Sequence, residues 1–216
     1  MHLLPRGGTA PEESGGLTRQ FSVLRDRRLS LCVGMIVFSG AATYTVYTYL
    51  TPILTNTLGL AERAVSPLLI AVGLCCLFSN LFSGWLGEHG GIRRLPAVFL
   101  VQTALFALMP LLLGNRWTGL AAVFLMAMTM YILNTPSQLH ALDMAEREYP
   151  FASSLCASVL SVSYNFGIAI GSFAGSSLQT AIGLRALGAP AALFALLGLW
   201  ASLALLRVCS RGRSPS

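Results

Sequence analysis

One face of the first apolar stretch carries side chains that are suited to binding an organic ligand. The residues that recur there at helical spacing are Gly40, Tyr44, Tyr47 and Thr51. A tyrosine offers a flat apolar ring and a hydroxyl, which together suit an amphipathic molecule. Tyrosines also gather where a helix leaves a membrane, and this alternative explains Tyr47 and Tyr49 better than the deeper Tyr44.

A second polar stripe runs along the fifth apolar stretch. At about 100° per residue, hydroxyl and amide residues fall within about 60° of one helix face. They are Ser154, Ser158, Ser161, Asn165, Ser172 and Ser176. The stripe could line a water-filled cavity or bond to neighbouring helices, and the spacing does not choose between the two. On a separate face, Gly167, Gly171 and Gly175 are spaced by four, which predicts close packing of a neighbouring helix.

Further polar groups interrupt the other apolar stretches. Asn134 and Gln138 flank Pro136, which lacks an N–H, frees backbone carbonyls and so favours a kink or a cavity. Single polar residues in apolar surroundings more often bond to a neighbouring helix than to a ligand. Those of the second and third stretches are Asn80, Ser83 and Gln102.

The chain lacks the patterns that indicate catalysis or a metal site. No facing pair of carboxylates falls within an apolar stretch, and the motifs GxSxG, HExxH and GxxxxGK[ST] are missing. Four of the five cysteines lie inside apolar stretches, and none belongs to a CxxC pair. We therefore predict no catalytic residue, no metal, no cofactor and no enzymatic activity.

These residues are predicted to lie on membrane-spanning helices. The mean hydropathy is +0.69 and only 10% of the 216 residues are charged, too little polar material to coat a water-soluble domain. The charges lie in the tails and in short gaps between apolar runs about twenty residues long, the length that crosses a bilayer. Lipid is therefore the expected partner. Headgroups explain the arginines beside the spans, which argues against nucleic acid.

Six spans are predicted, so the fold class is an all-α membrane protein. The spans cover residues 29–50, 67–86, 95–113, 118–139, 152–178 and 190–206 of a membrane domain at 29–207. Residues 1–28 are expected to form a flexible tail and residues 208–216 a second tail. Eleven of the fourteen arginines lie on the side of the two tails, and the positive-inside rule therefore places both termini in the cytoplasm.

Two loops on the predicted cytoplasmic side carry the charged motifs. The loop at residues 84–94 reads Gly-Trp-Leu-Gly-Glu-His-Gly-Gly-Ile-Arg-Arg. Its small residues let two helix ends approach, and its carboxylate can meet a helix N-terminus or an arginine. The residues that make up this pattern are Gly84, Glu88, His89, Gly91, Arg93 and Arg94. Spacing alone explains the loop equally well as a functional motif or as a generic hairpin that carries cytoplasmic arginines. The other loop, at residues 140–148, is predicted to be a solvated turn.

The order of residues at 84–94 resembles the G-x-L-x-D-R-x-G-x-R-R loop of the major facilitator superfamily. Glu88 takes the acidic place and His89 the first basic place, and such departures are usual in the superfamily's second copy of the loop. Residues 44–52 are similar to the seventh helix of its drug and sugar efflux branch. Residues 164–171 resemble the Asn-x-Gly-x-x-x-Gly pattern of the eleventh helix, and residues 21–28 the end of the loop that joins the two halves.

The resemblance implies the C-terminal six-helix half of a secondary active efflux permease, similar to arabinose efflux permeases, in the cell inner (plasma) membrane. Small organic substrates such as drugs or sugars would lie between two halves that move in alternating access. The residues implied to line one wall of that cavity are Tyr44, Tyr47, Asn80, Asn134, Gln138 and Asn165.

The chain is expected to be incomplete by itself, because proton coupling needs an ionisable group inside the membrane and the span cores hold none. A second six-helix half or a homodimer would supply the rest. The alternative is a non-transporting membrane fragment, or a scaffold that packs against other membrane proteins.

Overall fold

A computed structural model describes residues 23–211, and within that range the chain is helical almost throughout. A 3-10 turn at Val23–Arg25 comes first. The long helices are α1 (Arg27–Tyr47), α2 (Glu62–Glu88), α3 (Leu95–Leu112), α4 (Arg116–Thr129), α5 (Asn134–Glu148), α6 (Ser153–Ile182) and α7 (Gly188–Arg211). Most of both predicted tails, residues 1–22 and 212–216, lies outside the described residues.

Six stretches of these helices are long and apolar enough to cross a membrane, which confirms the predicted all-α membrane fold. They are Arg27–Tyr47, Glu62–Glu88, Leu95–Leu112, Arg116–Glu148, Pro150–Ile182 and Leu184–Ser210. Their ends differ from the predicted ones because a helix can continue past its apolar run. The second span begins at Glu62, so Pro67, predicted to open it, lies inside the helix. The first ends at Tyr47, before a separate turn at Leu50–Pro52 and a π-helical turn at Ile53–Thr57.

The fourth span is broken instead of continuous. Residues 130–133 separate α4 from α5. The break lies just ahead of Pro136, whose ring nitrogen cannot donate to the carbonyl of Ile132 four residues earlier. α5 then continues to Glu148, so the charged segment at residues 140–148, predicted to be a solvated turn, is helical.

α1 is the central helix of the bundle. It packs against α6 and α7, and α3 packs against α7. α2 lies at the periphery, where it contacts α4 and α5. The two helices differ strongly in burial. In an 18-residue apolar stretch of each, 61% of the residues of α1 but only 17% of those of α2 are buried in the bundle.

The apolar core forms two layers, one around Phe99 and the other around Phe106, both on α3. Between them the side-chain amide of Gln102 donates a hydrogen bond to Thr43 of α1 at 3.2 Å, and both residues are buried. The isolated amide of α3 therefore bonds to a neighbouring helix. One end of the bundle holds both the start of α1 and the end of α7, since Arg28 and Cys209 line the same cavity. We refer to this end as the terminal end.

Candidate substrate cavity

Four tyrosines from three parts of the chain come together in the bundle. Tyr44 and Tyr47 lie one turn apart on α1, with ring centroids 5.5 Å apart. The ring of Tyr164, on α6, stands edge-on to that of Tyr44 at 6.4 Å. The ring of Tyr131, in the break of the fourth span, lies 6.4 Å from that of Tyr164. All four residues are half-buried, and we refer to them as the tyrosine cluster.

Helical spacing in the sequence indicates two of these tyrosines but not the other two. Tyr44 and Tyr47 share a face of one helix, so their spacing reveals them. Tyr164 precedes Asn165 of the polar stripe but points to a different side of α6, towards α1. Tyr131 lies where the helix is interrupted, so helical spacing says nothing about its direction. The signal available for both was their aromatic, hydroxyl-bearing side chain inside an apolar span.

Direct backbone contact between α1 and α6 sets Tyr164 beside Tyr44. Three buried glycines of α6 face α1 there, namely Gly167, Gly171 and Gly175. A Cβ on any of them would collide with a backbone oxygen of α1; these oxygens belong to Val37, Ala41 and Thr45. The two helices therefore touch without intervening side chains. From the α1 side, Gly40 lies against the carbonyl oxygen of Tyr164.

The polar stripe of α6 lies on the surface of the bundle. Five of its six members are exposed and Ser172 is half-buried. Ser158 and Asn165 donate hydrogen bonds to carbonyls of their own helix, at 3.0 and 3.1 Å. Ser172 shares a hydrogen bond of 2.9 Å with Thr48, just after α1. Most of the stripe therefore remains open to water, ligand or another protein surface.

The predicted amides make no hydrogen bond to the tyrosine cluster through their side chains, as far as the described residues show. Asn80 and Asn165 are exposed on α2 and α6. Gln138 donates to the side chain of Asn134 at 2.7 Å, so these two amides pair with each other along α5. The Asn134 backbone N–H donates to the carbonyl of Tyr131 at 3.0 Å. The role of all four amides as lining residues stays a prediction.

The tyrosine cluster lies in a part of the chain that is free of charge. Acidic residues, arginines and histidines are missing from residues 29–61, 64–87, 95–115, 117–139, 149–184 and 186–206. No group of histidine, cysteine and acidic side chains within residues 23–211 is arranged to hold a metal ion. A ligand beside the cluster would therefore meet aromatic rings and hydroxyl groups, with no ion pair to orient it.

We refer to the loop at residues 84–94 as the signature loop. Two of its glycines allow its backbone conformation and its close packing. Gly91 is buried, and a Cβ there would lie 2.8 Å from Cβ of Pro136, so the loop packs against the start of α5. Gly90 has a φ of +71°, a left-handed conformation that glycine adopts without strain. Gly84, by contrast, has open space around it. The loop thus contacts the segment that follows the break in the fourth span.

The charged residues of the signature loop lie at the surface. Among the described residues Glu88 makes no ion pair, so the predicted contact with an arginine is not found. His89 stacks on the ring of Trp85 with centroids 4.8 Å apart. The guanidinium of Arg94 lies 5.8 Å from the same ring, and Arg93 lines the cavity at the terminal end.

An ion-pair cluster at the terminal end joins α1 to α5. This pairing was not predicted from the sequence. Arg28 donates to both carboxylate oxygens of Glu148, one at 2.7 Å. Asp26 caps α1 by accepting from the Arg28 N–H at 2.8 Å, and the Tyr149 hydroxyl donates to it at 3.1 Å. Partial burial acts to raise the pKa of Asp26, but hydrogen bonds from Arg28 and Tyr149 outweigh it and the pKa is lowered. The bond to Asp26 raises the pKa of Tyr149.

Comparison with known proteins agrees with this architecture. Residues 18–215 match the family model described as Major Facilitator Superfamily. An uncharacterized MFS-type transporter, YtbD of Bacillus subtilis, is 26% identical over 166 residues, 76% of this chain and 42% of the relative. The putative transporter AraJ of Escherichia coli is 26% identical over 171 residues, 78% of this chain and 42% of the relative.

A third relative carries a more specific name. A probable sugar efflux transporter of Pasteurella multocida is 26% identical over 200 residues, 91% of this chain and 47% of the relative. The chain thus spans less than half the length of each of these curated relatives. The family match covers nearly all of the chain and confirms the resemblance seen in the signature loop and the apolar spans. This multi-pass membrane chain belongs to the Major Facilitator Superfamily.

Proposed function

We propose that this chain forms one wall of the substrate path of an efflux transporter for small organic solutes, and that the tyrosine cluster lies on that path. The observation that carries the proposal is the convergence of four tyrosines from α1, the fourth span and α6. Their rings offer apolar faces, and their hydroxyls offer hydrogen bonds, so the cluster suits uncharged or weakly charged amphipathic molecules. A relative that is named a probable sugar efflux transporter supports the same class of substrate.

The chain would act as one half of a transporter that works by alternating access, together with a second six-helix half or a second copy of itself. Two observations support this. The chain spans less than half of its relatives. In addition, α6 exposes polar groups such as Asn165 beside large apolar ones such as Phe166 and Phe173, a mixture that lipid alone would not favour. A facing half would cover the apolar rings and leave a polar passage.

A proton-coupled cycle would depend on the partner half. Coupling needs an ionisable side chain that reaches the membrane interior, and the charge-free segments of this chain offer none. We expect proteoliposomes that contain only this chain to take up no more isopropyl β-D-thiogalactoside or chloramphenicol, two uncharged probes, than protein-free liposomes do when a pH gradient is imposed. Uptake that collapses with the gradient would contradict the half-transporter proposal.

Both termini would lie in the cytoplasm, with the protein in the inner (plasma) membrane. The excess of arginine on one side supports this orientation. Green fluorescent protein folds in the cytoplasm but not when it is exported unfolded across the membrane. A fusion of it after residue 216 should therefore fluoresce. The same fusion after Gly183, which removes the last span, should be dark. The reverse pattern would overturn the orientation.

Ligand binding tests the tyrosine cluster directly. In lipid nanodiscs we expect Tyr44→Ala and Tyr164→Ala to weaken binding of whichever of the two probes the parent chain binds, by roughly threefold to tenfold. Tyr149→Ala, which removes a tyrosine at the terminal end, is the matched control and should leave the dissociation constant unchanged. Equal effects of all three substitutions, or none from the first two, would contradict a ligand site at the cluster.

A further inference from the structure

The break in the fourth span leaves backbone groups without their helical partners. Pro136 has no N–H, so the carbonyl of Ile132 cannot receive the bond that a continuous helix would provide. The Tyr131 N–H would use the carbonyl of Ala127 in a continuous helix, and this carbonyl accepts from the Met130 N–H at 3.3 Å instead. Backbone groups in an apolar bundle must find other partners, because no water is there to bond them.

Two serines of α2 supply those partners. The Tyr131 N–H donates to Oγ of Ser79 at 2.9 Å. The Ser83 hydroxyl donates to the carbonyl of Ile132 at 3.2 Å and accepts from the Thr135 N–H at 3.3 Å. Both serines are fully buried. The bonds therefore run between helices, from the side chains of one to the main chain of the other.

The position of the serines on α2 makes these bonds a principal contact of that helix. The buried residues of α2 are Val65, Val72, Ser79, Ser83 and Leu86. At the depth of the break, α2 thus meets the fourth span through two hydroxyl groups, and Sγ of Cys76 lies 3.7 Å from Sδ of Met130 beside them. Two other buried serines, Ser163 and Ser202, bond instead to carbonyls of their own helices, those of Val159 and Leu199.

We infer that Ser79 and Ser83 are positioning residues, which hold Tyr131 in the tyrosine cluster. The inference rests on the proposed function, because it assigns Tyr131 a place on the substrate path. Tyr131 lies outside both α4 and α5, so no regular helix determines the direction of its side chain. The bond from its N–H to Ser79 restrains the peptide unit that enters Tyr131, and Ser83 bonds to the carbonyl of Ile132, in the peptide unit that joins residues 132 and 133. The ring consequently lies 6.4 Å from that of Tyr164.

A spectroscopic test reports on the ring itself. The full chain labelled with 3-fluorotyrosine contains six fluorinated rings, and single Tyr→Phe variants assign the ¹⁹F resonances. In Ser79→Ala we expect the Tyr131 resonance to shift and broaden, with a smaller shift in Ser83→Ala. The resonance of Tyr149, at the terminal end, should not move. The matched control is Ser202→Ala, which removes an equally buried hydroxyl that bonds within its own helix.

Ser79→Thr keeps a hydroxyl oxygen that can accept the bond, so the Tyr131 resonance should return to its position in the parent protein. If the shift in Ser79→Ala came only from a cavity, the hydroxyl of Ser79→Thr would not bring the resonance back. A Tyr131 resonance in Ser79→Ala that coincides with that of the parent, as in Ser202→Ala, would overturn the inference. So would an equal shift of all six resonances, because that pattern reports a general loss of structure.

Binding of isopropyl β-D-thiogalactoside or chloramphenicol, whichever the parent chain binds, separates this inference from the proposed function. If both hold, Ser79→Ala and Tyr131→Ala weaken binding together, the first by roughly fivefold, and Ser79→Thr restores it. Unchanged binding in Tyr131→Ala would contradict the place of Tyr131 on the substrate path. The positioning of the ring would then be decided by the ¹⁹F shift of Ser79→Ala alone.

Discussion

The bundle joins its helices in two different ways. α1 and α6 meet through main chain, where the glycines of α6 leave no room for a Cβ against the backbone oxygens of α1. α2 and the fourth span meet through the hydroxyls of Ser79 and Ser83, which reach from a helix side chain to interrupted main chain. The first contact is steric and the second is a set of hydrogen bonds.

The two kinds of contact should differ in how far they let the helices shift. A backbone contact tolerates no added atom, because close-packed surfaces cannot yield without moving a whole helix. A serine hydroxyl can rotate and exchange partners at modest cost, since an interhelical hydrogen bond contributes only about 1 kcal/mol. We therefore expect the α1–α6 contact to be the rigid one and the contact of α2 with the fourth span to be the more adjustable of the two.

The largest effect is expected from filling the glycine contact. In Gly171→Ala the new Cβ would collide with the backbone oxygen of Ala41, so α1 and α6 must separate. We expect a loss of roughly 1–3 kcal/mol in the free energy of unfolding, and no folded protein for Gly171→Leu. Unfolding in mixed micelles by a denaturing detergent measures this. Gly73→Ala is the control, because no atom lies within 4 Å of a Cβ there. Equal stability of the two alanine variants would refute the steric contact.

A smaller effect is expected at the serine contact, and it should depend on Pro136. Ser83→Ala leaves the carbonyl of Ile132 without its donor, and we expect a loss of about 1 kcal/mol in the free energy of unfolding. In the Pro136→Ala background residue 136 regains an N–H that can reach this carbonyl, so Ser83→Ala should cost much less. A double-mutant cycle measures the coupling. Additive effects would show that Ser83 does not compensate for the proline.

The ion pair at the terminal end connects the rigid contact to the adjustable one, because Arg28 lies on α1 and Glu148 on α5. Their side chains are 30% and 43% exposed, so solvent screening limits the coupling free energy of Arg28→Gln with Glu148→Gln to about 1 kcal/mol or less. The pair of Arg147 with Asp143, which is more exposed and lies within α5, is the control and should show weaker coupling. Stronger coupling in the control pair would contradict a link between the two helices.

The smallest effect concerns pH. The pKa of Asp26 is lowered from its ordinary value of 3.8 in the folded protein, so the carboxylate stabilises the fold above that value. The stabilisation is lost as the pH falls through the lowered pKa. We expect the melting temperature of the parent to fall below about pH 4. Asp26→Asn keeps a capping oxygen without the charge, and its melting curve should change less over the same range. Parallel curves would exclude Asp26 as a contributor.

Most of the fold was predictable, because a bilayer demands long apolar helices and the gaps between them carry the charges. The six spans follow from that rule alone. The ends of the spans could not be predicted in this way. The helix α2 begins before its apolar run, and α5 continues past the apolar run of the fourth span into polar residues. The charged segment at residues 140–148 forms a helix because nothing in it interrupts the hydrogen-bond ladder that begins after the break.

The candidate site was predictable only in part. Tyr44 and Tyr47 share one face of a helix, which spacing reveals, and the glycines of α6 recur at a spacing typical of close packing. Tyr131 and Tyr164 joined them through contacts between distant segments, which no periodicity records. The same holds for Ser79, whose partner is a main-chain N–H 52 residues away.

The chain alone was enough to predict six helices long and apolar enough to cross a membrane, charge-free segments within them and a resemblance to a transporter superfamily. Those properties depend on composition and local order, which are present in the chain before it folds. The folded structure was needed to show which tyrosines meet, which groups bond to the backbone of the broken fourth span and how Arg28 reaches Glu148. These depend on the distances between helices, and such distances are set when glycine and serine contacts bring separate parts of the chain together.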